Sequence, residues 1–239
     1  MGTGRSGLSK GIKDTTKAAL KLLGEQGTIV KRYTGEVRGM TEENFKDTYL
    51  RDANPNRDNW AEYSKWRQNC QRACYATDLR LAGYDVEALA HNRNDSSLGI
   101  NLANPSYKDS FLNVYEGASQ NFVPLGGSSS EIMTQLAKLL PKSGARAIVH
   151  NYWKVGGGHA WNLVRIGNKI YGIDGQTNEF FNPDRYIKDT TNLSLFSGST
   201  HSVTGEHCIN VLVTNKGGNS KDLYSPTELL YKFIKKRKK

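Results

Sequence analysis

A thiol, an imidazole and a carboxylate can together cleave an acyl bond, and this 239-residue sequence offers such a set. Cys70 follows the polar pair Gln68-Asn69 and opens a stretch in which positions 70, 73, 74, 77 and 81 are Cys, Ala, Cys, Thr and Leu. These positions share one face of a helix, and Gly83 supplies its stop. A thiol attacks as a thiolate, which a helix N-terminus and a nearby imidazolium both favour. Cys70 stands at the expected helix start, and Cys74 lies one turn further in, on the apolar stripe. Position therefore makes Cys70 the candidate nucleophile and Cys74 a small core residue.

The imidazole and the carboxylate come from a hairpin. Residues 159–166 and 169–174 read as strands joined by Gly167-Asn168, a two-residue turn. With that turn Ile166 faces Lys169, Trp161 faces Asp174, and His159 faces Gln176. Alternation then puts His159, Trp161, Asp174 and Gln176 on one face. Asp174 becomes the diagonal neighbour of His159, about 7–8 Å away between Cα atoms and within reach of a carboxylate–imidazole hydrogen bond. A three-residue loop would separate them. Gly156-Gly157-Gly158 just before His159 would let a substrate backbone come close.

These residues carry a resemblance. The run Asn69-Cys70-Gln71-Arg72, continuing to Leu81-Ala82-Gly83-Tyr84-Asp85-Val86, resembles the start of the papain-fold toxin domains, which occur in bacterial polymorphic toxins and fused to phage head-morphogenesis proteins. The block from Gly157-Gly158-His159-Ala160-Trp161-Asn162 to Ile173-Asp174-Gly175-Gln176-Thr177 is similar to that family's His and Asp-x-Gln-Thr motifs. Asn54-Pro55-Asn56 is similar to the linker before the Cys motif in phage-associated members. The resemblance runs, with gaps, from Asn54 to Asn178. It implies a papain-like α+β fold with the nucleophile helix packed on an antiparallel sheet. By it Cys70 is the nucleophile, His159 the general base and Asp174 the orienter. Asn69 or Gln68 would hold the oxyanion beside the Cys70 N–H; Gly158 and Gln176 are candidates to contact substrate, and Trp161 packs against the active-site face either as core or as a substrate platform. The sequence departs from the pattern at Gly175, usually Pro, and at Ala82, often basic.

Relatives include deamidases of glutamine in host proteins, so the resemblance implies a protein substrate and no cofactor, and a toxin would bring an immunity protein as partner. Proteolysis and transglutamination use the same apparatus and stay open. A non-enzymatic virion or head-associated component, with the phage capsid as partner and a phage particle as vehicle, is the rival from another class.

The rest of the chain must position this set. Residues 10–23 read as a helix, and the polar turn-rich stretch 51–59 reads as a linker. This divides the chain into an N-terminal segment 1–50, a catalytic domain 51–214 and a basic C-terminal helix 215–239. Residues 84–88 alternate as a strand, and 91–128 read as irregular, with a short helix at 109–117 and the determinants of substrate choice. Residues 129–140 read as a helix, while 146–153 and 209–213 read as strands. Ser225-Pro226-Thr227-Glu228 reads as a capping box opening the last helix. Helices first and a sheet later give α+β.

Composition sets limits. A hydrophobic fraction of 37% with 10% aromatics supports a packed core. The apolar stretches are far shorter than the roughly 20 residues needed to cross a bilayer. The polar start, Met1 to Gly7, has no apolar run after it, so a Sec-type signal peptide is not expected. The expected location is the cytoplasm of the producing cell, with any export by a signal-independent route. Three cysteines leave at least one thiol free. The net charge of +10 is concentrated in Lys232, Lys235, Lys236, Arg237, Lys238 and Lys239. Such a tail can touch nucleic acid or an anionic surface, or simply solvate a helix end. Cys70 and Cys74 with His207-Cys208 could make a zinc site, but the helix and hairpin favour a dyad, so no metal is expected. His91, His150, His201 and His207 read as structural or exposed. Gly2-x-Gly4-x-x-Gly7 follows no strand and carries no nucleotide-binding meaning.

Overall fold

The computed structural model describes residues 45–51, 53–55, 57–58, 69–90, 113–154, 158–190, 207–227, 229–230 and 233–237. The helix expected over 10–23 and the residues Gly156-Gly157 lie outside them. The fold is α+β. A twelve-residue helix α1 (Cys70–Leu81) packs on a six-stranded antiparallel sheet of order β2-β7-β3-β4-β5-β6. The strands are β2 (Val123–Gly127), β3 (Ala145–Tyr152), β4 (Gly158–Ile166), β5 (Lys169–Asp174), β6 (Glu179–Phe181) and β7 (His207–Lys216). Helix α2 (Ser129–Leu139) and the single turn α3 (Asp184–Ile187) complete that body. A second, two-stranded sheet pairs β1 (Val86–Ala88) with β8 (Ile234–Lys236).

Alternation decides which side of the sheet each residue serves. Ala147, Val149, Trp161, Leu163, Ile209 and Val211 form one cluster with Ile132, Leu136 and Leu140 of the α2 region. Ile148, Ala160 and Leu212 point the other way and join Cys74, Tyr75 and Leu79 of α1. Both faces are covered. Helix α2 begins on a complete capping box, in which the Ser128 hydroxyl accepts the Glu131 N–H and the Glu131 carboxylate accepts the Ser128 N–H.

The β4–β5 hairpin has the expected register, from Ile166 opposite Lys169 to Asn162 opposite Ile173. The turn is the two-residue Gly167-Asn168, with φ of 58° at Gly167, the left-handed value a tight hairpin turn demands there. This detail places the catalytic candidates, because a one-residue slip would turn Asp174 to the opposite face.

Three expectations are corrected. Among its described residues the C-terminal region 215–239 does not form the expected basic helix. Pro226 bridges Tyr115, the Thr227 N–H donates to the Val114 carbonyl, and Ile234–Lys236 add to β1 as a strand. Burying Leu230, Phe233 and Ile234, each at most 3% exposed, contributes about 1.5–3 kcal/mol per side chain. That outweighs helix propensities worth less than about 1 kcal/mol per residue. Two of the tail's cations are held as well, Lys235 by Glu87 at 3.0 Å and Arg237 by Asp85 at 2.9 Å. The stretch 51–59 is no free linker where it is described, since Ala53 and Asn54 are buried. Packing also extends before residue 51, because Phe45 and, from the π-helical turn Lys46–Leu50 that it caps, Tyr49 and Leu50 join Val164 and Ile173. Of the short helix expected at 109–117, residues 109–112 lie outside the described residues and 114–117 are turn and bridge; a 3-10 turn covers Ala118–Asn121, and β2 follows.

Candidate active site

Cys70 is the first residue of α1 and is partly exposed. Asn69 caps the helix through its backbone, its carbonyl accepting the Ala73 N–H at 2.9 Å. The Asn69 side chain makes no capping bond at this end, so among the described residues the first-turn N–H groups and the positive end of the helix dipole remain available to an anion. Cys74 differs in every respect. It is 1% exposed, its thiol donates to the Trp161 carbonyl at 3.4 Å, and burial pushes its pKa well up. One thiol is presented and the other is core, as their positions on the helix predict.

His159 lies near the start of β4 with its side chain 9% exposed. Its Nε2 is 2.9 Å from Asp174 Oδ2. Burial disfavours the charged ring, yet the hydrogen bonds to Asp174 and Cys70 and their negative charges outweigh it, raising the pKa to about 10. With Nε2 engaged by Asp174, Nδ1 is the nitrogen left for the Cys70 sulfur. The raised value favours the charged ring, which lies between the Asp174 carboxylate and the Cys70 sulfur.

Asp174 is 1% exposed and both its oxygens are fully used. Oδ2 accepts from His159 and from the Tyr186 hydroxyl at 2.8 Å, and Oδ1 accepts the N–H groups of Gln176 at 2.9 Å and Thr177 at 3.3 Å. Burial alone would raise its pKa, but these donors, His159 foremost, hold it below the usual carboxylate value. The backbone turn after β5 fixes the carboxylate, and the carboxylate fixes the ring. Aromatic rings enclose the pair: Trp153 lies 5.4 Å and Tyr186 5.8 Å from the His159 ring centroid.

The other candidates divide. Trp161 is fully buried, its indole N–H donating to Asn151 Oδ1 at 2.8 Å, so it is core and cannot contact substrate. Alternation did put it on the face of His159, but that face is covered by α2 and α3 a residue further along. Asn69 cannot supply an oxyanion donor from its side chain. Its two amide hydrogens serve Asn54 Oδ1 at 3.1 Å and the Leu89 carbonyl at 2.9 Å, and since a carbonyl only accepts, the amide cannot be turned round. Gln68 lies outside the described residues. Gly158 is exposed beside His159, and a Cβ there would meet nothing closer than 3.5 Å. Gln176 is half-buried, and its side-chain oxygen has no partner among the described residues. At Gly175, where the family pattern usually has Pro, a Cβ would fall 2.3 Å from Thr77 Oγ1 and 2.9 Å from the Ala73 carbonyl oxygen, so no side chain fits.

Sequence reading missed Tyr186 and Trp153. The signal for Tyr186 was present, since Pro183-Asp184 is a helix start that sets Tyr186 in the first turn after β6. Trp153 ends its strand in a bridge to Thr190, a pairing invisible in local sequence. Among the described residues no group of three or more His, Cys, Asp or Glu could hold a metal ion, and no helix is long and apolar enough to cross a membrane.

A helix-borne cysteine facing a strand-borne histidine with a carboxylate behind it is the arrangement of the papain fold. Residues 68–179, just under half of the chain, match the family described as papain fold toxin 1, glutamine deamidase. The match runs from just before Cys70 to just past Asp174 and takes in Cys70, His159 and Asp174 together. No curated protein and no solved structure gave a match.

Proposed function

We propose that the protein is a cysteine-dependent amidohydrolase that deamidates glutamine side chains of a target protein, with Cys70 as nucleophile, His159 as acid and base, and Asp174 as the orienter of His159. The observation that carries this reading is the Asp174–His159 hydrogen bond of 2.9 Å with Cys70 at a helix start against the same ring, inside the stretch that matches the family.

The Cys70 sulfur attacks the side-chain carbonyl carbon of glutamine, and a C–S bond forms as the carbonyl electrons move to oxygen. The Cys70 backbone N–H, unbonded within the helix, stabilises that oxyanion, with Gln68 the remaining side-chain candidate. The imidazolium then gives its Nδ1 proton to the departing nitrogen, the C–N bond breaks, and ammonia leaves a thioester. Water attacks the thioester carbon, its proton returns to His159, and the C–S bond breaks to give glutamate and the free cysteine. Throughout, Asp174 holds Nε2–H, so Nδ1 stays aimed at sulfur. The exposed Gly158 lets a substrate backbone pass beside His159, and Gln176 lies on the same turn as Asp174. A target outside the producing cell would make the protein an effector.

Incubation of a host-cell extract with the wild-type protein and with Cys70→Ser tests this. Peptide mass mapping should show glutamine sites gaining about 1 Da with wild type alone, since an amide becomes an acid. New chain ends in place of that shift would mean proteolysis, and lysine–glutamine cross-links would mean transglutamination. No difference between the two proteins would refute the enzyme.

A further inference from the structure

Asn54 joins the two halves of the candidate site. Its side-chain oxygen accepts Asn69 Nδ2–H at 3.1 Å, and its side-chain nitrogen donates to the Gln176 carbonyl at 3.2 Å. Asn69 is the residue before Cys70 and caps α1. Gln176 follows Asp174 by two residues, and its N–H donates to the Asp174 carboxylate at 2.9 Å. One carboxamide thus spans from the cap of the nucleophile helix to the turn that holds the orienting carboxylate.

The direction of this carboxamide is fixed by chemistry. The Gln176 carbonyl can only accept, and the Asn69 nitrogen is held as a donor by the Leu89 carbonyl. The oxygen of Asn54 must therefore face Asn69 and its nitrogen Gln176. The backbone is held too, as the Ala53 carbonyl accepts the Ala88 N–H at 2.8 Å and the Ala53 N–H donates to Leu50 at 2.8 Å. Asn54 itself is 4% exposed. Beside this clamp Gly175 seats the same turn against the backbone of α1 at Ala73. A close backbone contact and a two-sided amide together lock the Asp174 turn to the first turns of α1.

We infer that Asn54 is a positioning residue of this site: its carboxamide sets the distance and angle between the Cys70 end of α1 and the His159–Asp174 pair. The inference rests on the reading of Cys70 as nucleophile. Asn54 acts on the site through Asn69 and Gln176. Aspartate at this position keeps the acceptor for Asn69 but turns an oxygen toward the Gln176 carbonyl, whereas alanine loses both bonds.

Iodoacetamide labelling of Cys70 in the full chain, followed by peptide mass across a pH series, tests it. Asn54→Ala should label about 10- to 100-fold more slowly than wild type at pH 6, the scale of loss from a misplacement of about 1 Å. Its rate profile should move toward that of an ordinary thiol, which titrates near 8.5. Asn54→Asp, nearly isosteric, should fall between and carries the test if circular dichroism shows Asn54→Ala unfolded. Thr214→Val, which removes a buried hydrogen bond to Asp78 at 2.7 Å, is the control for lost stability and should keep the wild-type profile. A wild-type profile in a folded Asn54 variant, or a loss matched by Thr214→Val, overturns the positioning role alone. Slow labelling of the wild type that ignores His159→Ala overturns the nucleophile reading beneath it.

Discussion

Asp174 and Asp78 are both 1% exposed, and each has both carboxylate oxygens hydrogen-bonded to side chains or backbone. Asp78 accepts from Arg146 at 3.0 Å, Thr214 at 2.7 Å and Tyr115 at 2.8 Å, and Arg146 reaches on to Asp222 at 2.7 Å. Its partners are a guanidinium and two hydroxyls, which hold their protons through the neutral range. Asp174 instead has an imidazole among its partners, and that ring keeps a second nitrogen toward a thiol. Burying a carboxylate among donors is what the two regions share, and it accounts for structure in both. A titratable partner with one nitrogen left over is what makes the Asp174 region able to move a proton.

The largest effect should separate the regions outright. Asp174→Asn would set an amide against the donors His159 and Tyr186, forcing the ring to protonate Nδ1 instead of Nε2. An Nδ1–H cannot take the thiol proton, and turnover should fall about 10⁴-fold in a deamidation assay, with the fold retained. Arg146→Met should do the reverse. It leaves Asp78 buried without its cation and should cost about 3–5 kcal/mol in urea unfolding. The His159-dependent labelling of the folded fraction should stay at the wild-type rate.

A third difference is readable in pH. His150, 1% exposed and stacked on Phe122 at 4.9 Å, is pushed by burial, and further by the charge of His159, from 6.5 down to about 3. Between those values the unfolded chain binds a proton that the native state refuses. Stability should therefore fall as pH drops through this window, by about 1.4 kcal/mol per unit for one proton. His159 acts oppositely: its raised value adds stability that is complete below 6.5 and is lost as pH rises toward about 10. His150→Leu should flatten the acid slope in urea titrations and leave the alkaline one. The smallest effect belongs to Tyr186→Phe, which deletes one of four donors to Asp174. A lost hydrogen bond of about 1 kcal/mol would slow labelling roughly fivefold. No change at all would make the tyrosine a packing residue.

The contrast also explains what the sequence could reveal. The β4–β5 hairpin was legible because a two-residue glycine turn fixes register, and register fixes which side chains are neighbours. The first turn of α1 was legible because its stop, its stripe and its polar start agree. Core and substrate platform could not be told apart for Trp161, because alternation names a face but not what covers it, and α3 comes from residues beyond the hairpin. The C-terminal strand was misread because Ser225-Pro226-Thr227-Glu228 satisfies a local rule that the burial of Phe233 and Ile234 overrides. Asn54 was visible as a motif, but its role depends on partners 15 and 122 residues away. Contacts set by local chemistry could be read, and those set by distant packing could not.

The most direct test of the central claim is the iodoacetamide labelling rate of Cys70 at about pH 6, in wild type and in His159→Ala. An ordinary thiol titrates near 8.5 and reacts very slowly there. The account predicts fast wild-type labelling that collapses in His159→Ala, with Cys74 unlabelled in both. Slow labelling of Cys70 at the same rate in both proteins would contradict it.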